Sequence, residues 1–186
     1  MDAPAHAPDP DAEAERLRRA RRGDGAAFEA LYHDHARAVH ALAFRLTGNA
    51  AEAEDIVQET FLRMFGFLSG LRENTPLRPW LKRVAANLAI DRLRRQQYPG
   101  TDMALAALAD PASASPADAA DADTLLRRLP PLARTVVWLH EMEGWSHEDL
   151  GRRFGRTASW SKSQMSRSLA RLRQDLDPHG DAPHDA

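Results

Sequence analysis

The stretch FGRTASWSKSQMSRSLARLR, residues 154–173, decides how the C-terminal part of the chain folds. Six of its twenty residues are Ser or Thr, a composition that could belong to a polar linker. Apolar residues nevertheless recur here and just beyond at helical spacing, at Ala158, Met165, Leu169, Leu172 and Leu176. A linker would have no such stripe. The spacing therefore predicts a helix, with Thr157 as its N-cap.

A shorter helix is predicted immediately before this one. Ser146 followed by Asp149 resembles a capping box, Leu150 and Phe154 stand one turn apart, and Gly155 is a stop signal. A short helix, a turn with Gly and a longer basic helix make a helix-turn-helix. Further upstream, LPPLARTVVWLHEMEG predicts a helix over 131–143 that is capped by the following glycine.

The face of the last helix opposite its apolar stripe carries short hydroxyls and cations. These residues are Ser159, Lys162, Ser163, Ser166, Arg167 and Arg171. Such side chains suit phosphates and base edges, and short ones allow close approach to a groove. The alternative is an amphipathic helix used for packing or dimerisation.

The rest of the chain reads as helices and an acidic linker, so the fold class is all-α. Helical periodicity predicts helices over 11–22, 26–46, 51–68 and 79–97, the last with Pro79 at its first position. Two small helical domains, a four-helix domain and the helix-turn-helix domain, are joined by a flexible linker rich in Ala, Asp and Pro. The predicted order is a disordered N-terminus at 1–9, a domain at 10–97, the linker at 98–123, a domain at 124–176 and a disordered tail at 177–186.

Composition and charge exclude several function classes. The chain has 186 residues and a net charge of −2. It contains no Cys, which excludes disulfides, thiol catalysis and Cys-ligated zinc and fits a reducing, cytoplasmic location. The acidic, Pro-broken start is unlike a secretory signal, and no 18-residue apolar run is present. Neighbouring His33, Asp34 and His35 diverge on a helix, so neither a metal nor another cofactor is expected. Basic residues concentrate at 76–97 and 146–173, on either side of the acidic linker.

Three motifs in order resemble one family. The segment LPPLARTVVWLHEMEGWSHEDLGRRFGRTASWSKSQMSRSLARLR (129–173) is similar to the fourth conserved region of bacterial RNA polymerase sigma factors, and AEAEDIVQETFLRMF (51–65) and RPWLKRVAANLAIDRLRR (78–95) are similar to the second. The resemblance is strongest to the small extracytoplasmic-function (ECF) group and covers roughly 10–97 and 124–176.

The resemblance implies partners for each domain. In the family, the first domain binds the clamp helices of the largest polymerase subunit and opens the −10 element, and the second binds the flap of the other large subunit and reads the −35 element. Asp55, Gln58 and Glu59 would bind the clamp helices, on one helix face whose acceptors suit a basic partner. Family members are often inhibited by an anti-sigma protein, so such a partner is expected.

The resemblance also assigns the DNA-contacting residues. The loop 71–77 would hold a base flipped from the non-template strand, which costs a few kcal/mol of stacking. The −10 contacts would be Arg72, Asn74, Arg78, Lys82, Arg83, Asn87 and Arg94. The −35 contacts would be Arg156, Ser159, Trp160, Lys162, Ser163, Ser166, Arg167 and Arg171. Trp80 could be a core anchor or a stacking surface.

The last helix departs from the family pattern at three positions. Trp160 and Ser161 stand where the family usually has Thr and Val, and Gln164 replaces a usual Arg. Whether Trp160 and Ser161 belong to the core or to the DNA face is left open by the sequence. The predicted function is a promoter-specificity subunit that is not itself an enzyme. The alternative is a helix-turn-helix regulator that binds duplex DNA without polymerase.

Overall fold

The computed structural model describes residues 9–71, 75–96 and 122–176, and every regular element in these ranges is helical. The elements are α1 (Pro10–Arg21), α2 (Gly25–Thr47), α3 (Ala50–Phe67), a 3₁₀ turn (Leu68–Gly70), α4 (Leu77–Gln96), α5 (Ala122–Arg127), α6 (Pro131–Glu141), α7 (His147–Phe154) and α8 (Ala158–Leu176). The all-α prediction is confirmed. The chain divides into two compact units, Met1–Phe44 with Asn49–Leu88, and Arg45–Gly48 with Ala89–Ala186.

The ends predicted to be disordered and most of the predicted linker lie outside the described residues. The linker was expected to extend to residue 123, but α5 begins at Ala122. Helical structure in the C-terminal part therefore begins two residues earlier than the apolar periodicity indicated.

Helix α4 also begins earlier than the sequence predicted. The expected start was Pro79, but the first helical residue is Leu77. Its backbone N–H, which has no partner inside the helix, donates to Glu13 Oε1 of α1 at 3.4 Å. The partner of this N–H lies 64 residues away in sequence, where a local pattern could not reveal it.

The core of the first unit follows the predicted stripes with exceptions at their edges. On α2, Leu31, Val39 and Leu42 are buried, as is His35. On α3 the helical spacing predicts a buried stripe, which is wrong for Phe65, 64% exposed, and confirmed for the others: Ile56, Val57, Thr60, Phe61, Met64 and Leu68. The edge of the Phe65 ring meets Phe28 of α2 at 5.4 Å between centroids, so only one side of the ring is covered. That single aromatic contact leaves most of Phe65 available to a partner.

The second unit contains the predicted helix-turn-helix, with each local signal in place. Ser146 Oγ accepts from the backbone N–H of Asp149 at 3.0 Å, and Thr157 Oγ1 accepts from that of Trp160 at 3.2 Å. Gly155 ends α7 with φ of +67°, a conformation that L side chains rarely adopt. These contacts confirm the predicted caps of α7 and α8.

The apolar core of this unit joins α6 to α8. Leu129, Ala133, Val137 and Met165 form one buried cluster, and Leu126, Leu169 and Leu172 pack against it. Helical spacing puts Met142 on the apolar side of the helix predicted at 131–143 and Leu176 on that of the last helix, but Met142 is 62% exposed and Leu176 57% exposed, so both predictions are wrong. Met142 follows the last residue of α6 and Leu176 ends α8, so each lies at a helix end where the stripe has nothing left to pack against.

Candidate functional site

The outer face of α8 is the polar surface that the sequence predicted. Six of the predicted contact residues on α8 are exposed: Ser159, Lys162, Ser163, Ser166, Arg167 and Arg171. Arg156, in the turn before α8, is exposed as well. Trp160 differs from them, because it is half-buried and its ring packs against Phe154 of α7 with centroids 5.2 Å apart. Trp160 therefore belongs to the junction of α7 and α8 as much as to the outer face.

Ser161 lies in the core of the helix-turn-helix. It is fully buried, and its Oγ is 3.1 Å from Nδ1 of His147, at hydrogen-bond distance. The hydroxyl that replaces the family's apolar residue thus has a specific polar partner on α7. Gln164, which stands at the position of a usual Arg, is buried too, so its side chain points into the core. The sequence could not show this, because Ser161 gains its partner 14 residues away only on folding.

The imidazole ring of His147, which contacts Ser161, is stacked on the ring of His140. The rings of His140 and His147 lie 4.1 Å apart between centroids. His140 Nδ1 is 2.8 Å from the carbonyl oxygen of Trp145, which can only accept, so that nitrogen carries the proton. Burial lowers the pKa of His147, and the nearby His140 and Lys162 lower it further, whereas Glu141 acts in the opposite direction.

We expect the stability of the second unit to fall in mild acid because of His147. With its folded-state pKa below the unfolded value of about 6.5, the unfolded chain binds more protons in that window. Its contribution is present above the unfolded pKa, decreases as pH falls, and is fully lost below the folded pKa. Urea unfolding at pH 7.5 and 5.5 should show a smaller loss for His147→Asn than for the wild type. Equal losses would contradict the assignment.

The N-terminal candidate surface follows α4. Arg83 and Arg94 are exposed, and Arg78, Lys82 and Asn87 are half-buried. The Oδ1 atom of Asn87 is shielded and without a hydrogen-bond partner in the part of the chain that the structure describes. Two other predicted residues, Arg72 and Asn74, lie outside the described residues.

Next to this surface is an aromatic pair that the sequence analysis missed. Phe67 stacks parallel to Trp80 with centroids 6.3 Å apart and an interplanar angle of 3°, and Phe67 is 52% exposed. A Cβ on Gly70 would come within 2.7 Å of the Phe67 ring, so glycine at 70 makes room for it. Trp80 is half-buried, so it both packs and contributes to the surface.

A third surface runs along α3. Asp55 and Gln58 are exposed and Glu59 is half-buried, and Glu59 pairs with Arg63 at 2.7 Å. Leu62, 70% exposed, continues the same row one turn further on, and the exposed Phe65 follows it. The spacing of 55, 58, 59 and 62 was the signal that could have found Leu62.

The described ranges hold neither a cluster of metal-binding side chains nor a helix that could span a membrane. No group of three or more His, Cys, Asp or Glu residues there is placed to hold a metal ion. No helix there is long and apolar enough to cross a membrane.

Comparison with known proteins agrees with the geometry. Residues 31–98 match Sigma-70 region 2, and residues 120–172 match Sigma-70, region 4. The chain is 35% identical over 168 residues to the RNA polymerase sigma factor CarQ of Myxococcus xanthus, covering 86% of this chain and 95% of CarQ. It is 31% identical over 164 residues to the ECF RNA polymerase sigma factor SigL of Mycobacterium tuberculosis, covering 84% of this chain and 93% of SigL.

Among solved structures, CnrH in complex with the cytosolic domain of CnrY supports the fold. It has a TM-score of 0.51 and 21% identity and covers 91% of this chain and all of the matched chain, 100%. The relatives match nearly the whole length, and the two matched regions lie in the order that the motifs predicted. The chain therefore belongs to the ECF group of the sigma-70 family, whose members are non-enzymatic transcription initiation factors.

Proposed function

We propose that this sigma factor binds core RNA polymerase through α3, opens the −10 element with α4 and the preceding loop, and reads the −35 element with α8. The observation that carries the proposal is the row on α3 formed by the exposed Asp55, Gln58 and Leu62 together with the half-buried Glu59. A regulator that binds duplex DNA by a helix-turn-helix alone would have no use for it.

The chemistry of the α3 row fits a basic helix with some apolar surface. Carboxylate and amide acceptors one turn apart can receive hydrogen bonds from Arg or Lys donors on a partner helix. Leu62 and Phe65, both more than half exposed, add apolar area at the end of the row. Exposed apolar groups beside polar ones are typical of a binding surface.

The α4 surface fits a separated DNA strand. Arg78, Lys82, Arg83 and Arg94 supply cations for phosphates, and the Phe67–Trp80 pair supplies a flat ring face beside them. Cations combined with an aromatic face are the usual means of holding single-stranded nucleic acid. The shielded Oδ1 of Asn87 would gain a hydrogen bond from a base donor after a small rotation of the amide.

The α8 surface fits the major groove of duplex DNA. Its hydroxyls and cations lie opposite the residues that pack α8 into the core, so the helix can enter a groove without exposing apolar area. The proposal assigns Arg156, Ser159, Lys162 and Arg167 to the −35 contacts, together with Trp160, Ser163, Ser166 and Arg171. Trp160 would touch DNA only with the edge that Phe154 leaves uncovered.

Run-off transcription by core polymerase tests the proposal. The protein should convert core polymerase from non-specific to promoter-dependent transcription, and it should co-purify with the core. Duplex binding without core binding or promoter-dependent transcript would favour the independent regulator instead.

Replacing Arg167 by Ala should weaken binding to promoter DNA that carries the −35 element. If Arg167 contacts a phosphate, the slope of log affinity against log salt should decrease by about one unit. The matched control is Arg127→Ala, because Arg127 carries the same charge and is exposed on α5, outside the proposed contact residues. Affinity and slope unchanged in Arg167→Ala would show that Arg167 faces away from DNA.

The proposal extends to location, chemistry and regulation. Because it acts with polymerase, the protein would work in the cytoplasm, and polymerase would supply all catalysis. An anti-sigma protein is the expected inhibitor, since the family resemblance predicts one. Such an inhibitor should compete with core polymerase for binding.

A further inference from the structure

One buried contact joins the N-terminal end of α7 to the N-terminal end of α8. Ser161 is fully buried, and its Oγ lies 3.1 Å from Nδ1 of His147. His147 is the first residue of α7, and Ser161 lies in the first turn of α8, beside the exposed Ser159 and Lys162. In a helix-turn-helix, the N-terminal residues of the second helix contact the base edges. The contact therefore fixes the end of α8 at which base contacts are made.

The hydrogen bond between these two residues has a defined direction. The Ser161 hydroxyl carries one hydrogen, and a buried polar hydrogen needs an acceptor. Within the described residues, the atom in position to accept it is Nδ1 of His147. Burial lowers the pKa of His147, and its uncharged ring has one nitrogen that accepts and one that donates. Ser161 therefore donates to Nδ1, and the ring proton of His147 lies on Nε2.

Protonation of His147 would reverse this hydrogen bond. Both nitrogens of a charged imidazole are donors, so Nδ1–H would point at Oγ of Ser161 and the hydroxyl hydrogen would have to turn away. The carbonyl oxygen one turn earlier belongs to Thr157, which already accepts from the backbone N–H of Ser161 at 3.3 Å. A Ser hydroxyl that bonds to the preceding turn often bends the helix. Protonation is therefore expected to bend the first turn of α8.

The surroundings of the His147 ring oppose a charge more than they favour it. Charged or titratable groups lie on each of the three neighbouring helices: His140 and Glu141 on α6, Glu148 and Asp149 on α7, and Lys162 on α8. Burial lowers the pKa of His147 most, His140 and Lys162 lower it further, and Glu141 acts in the opposite direction. As the first residue of α7, His147 also lies where the helix dipole disfavours a cation. The ring is therefore uncharged at neutral pH and gains its charge below about pH 6.5.

We propose that His147 and Ser161 are positioning residues for −35 recognition, and that α8 is aligned for base contacts only while the His147 ring is uncharged. This inference rests on the proposed function, in which α8 enters the major groove. Neither side chain needs to touch DNA, because their contact acts on the direction of the first turn of α8. Ser161 stands where the family usually has Val, so the pH dependence is a property of this chain's own residues.

The expected sign distinguishes this mechanism from ordinary electrostatics. A cation gained near a DNA-binding face strengthens binding to any duplex, since it adds attraction for phosphates. Binding of the full chain is measured by fluorescence anisotropy at pH 7.5 and 5.5, with a duplex carrying the −35 element and with the same duplex after that element is scrambled. The preference for the −35 duplex should fall by about threefold or more at pH 5.5, because only protein with an uncharged ring is aligned. Affinity for the scrambled duplex should stay the same or rise.

Three variants trace the effect to the two residues. His147→Asn places an amide oxygen near the position of Nδ1, where it accepts from Ser161 without titrating, so its preference should be equal at both pH values. Ser161→Ala has no hydroxyl to turn towards the backbone, so its preference should not change with pH either. The matched control is His33→Asn, since His33 is exposed on α2 in the first unit and the wild-type fall should persist without it. Circular dichroism at each pH identifies the folded proteins. If the wild type unfolds at pH 5.5, the acidic measurement is made at pH 6.0, and if one of the two contact variants does not fold, the other decides.

Three results would overturn the inference in different ways. A folded wild type that keeps the same preference in acid would show that His147 does not control α8, and the proposed function would stand. A fall in preference that persists in folded His147→Asn or Ser161→Ala would assign the pH dependence to other groups. A wild type with no preference for the −35 duplex at pH 7.5 would remove the proposed role of α8, and this inference with it.

Discussion

Replacing Gly151 by Ala should destabilise the helix-turn-helix by about 3 kcal/mol or more, the upper part of the range for overpacked sites. A Cβ at this position would lie 2.6 Å from the carbonyl carbon of Thr157, 2.7 Å from its oxygen and 2.9 Å from the backbone nitrogen of Ala158. These are backbone atoms at the start of α8, so a side-chain rotation cannot relieve the contact. The two helices must move apart.

The expected sign is opposite to that of helix propensity. Gly151 lies inside α7, where Ala is ordinarily more favourable than Gly by about 1 kcal/mol. A helical unit of this size is stable by only a few kcal/mol, so the variant should be largely unfolded in this unit and lose −35 DNA binding. Urea unfolding followed by circular dichroism, together with duplex binding, would measure both effects.

Two control variants separate the steric effect from propensity. Gly66→Ala in α3 places its Cβ where no atom lies within 4 Å, and we expect it to raise the stability of the first unit by about 0.5–1 kcal/mol. Arg152→Ala, at an exposed neighbour of Gly151, should change stability by no more than about 0.5 kcal/mol. A Gly151→Ala protein as stable as wild type would show that α7 and α8 do not pack this closely.

The helix-turn-helix was predictable because its signals are local. Ser146, Gly155 and Thr157 act on backbone groups within three residues, so a single sequence reveals the two helices and the turn. Gly151 was not singled out, because its requirement comes from the approach of a second helix. The position of Ser161 was ambiguous for the same reason. A Ser on a helix is expected on the exposed face unless a buried hydrogen-bond partner, here His147, is known.

In the first unit as well, some features follow from the local sequence and others depend on residues that are distant in sequence. The centre of the α3 stripe follows from helical periodicity, but the exposure of Phe65 depends on how far α2 extends over it. Likewise, the first N–H of α4 meets Glu13, and Phe67 meets Trp80, only once residues distant in sequence have been brought together. Periodicity assigns residues to a helix face but does not say where the neighbouring helix stops.

Reversing the charge at Asp55 should reduce affinity for core polymerase by about 100-fold or more, since truncating a partner of a buried interfacial charge pair already costs about 2–5 kcal/mol. Asp55 is exposed on α3 in the same row as Gln58 and Leu62. In Asp55→Lys, an ammonium would face the basic partner helix that the carboxylate is proposed to bind. Glu59→Lys should act similarly, and it would also place a like charge one turn from Arg63, its present ion-pair partner.

The matched control for Asp55→Lys is Glu54→Lys. Glu54 is also exposed, carries the same charge and is the preceding residue, but it lies about 100° away around the helix. Both variants should fold with stability within about 0.5 kcal/mol of wild type, because surface substitutions have small effects. Co-purification with core polymerase should then be lost for Asp55→Lys and kept for Glu54→Lys, with −35 duplex binding unchanged in both.

Leu62→Ala should lower core affinity by a smaller factor, about tenfold, because it removes apolar contact without adding repulsion. Retention of core binding by a folded Asp55→Lys protein would move the polymerase-binding surface away from α3, and with it the feature that separates this sigma factor from an independent DNA-binding regulator.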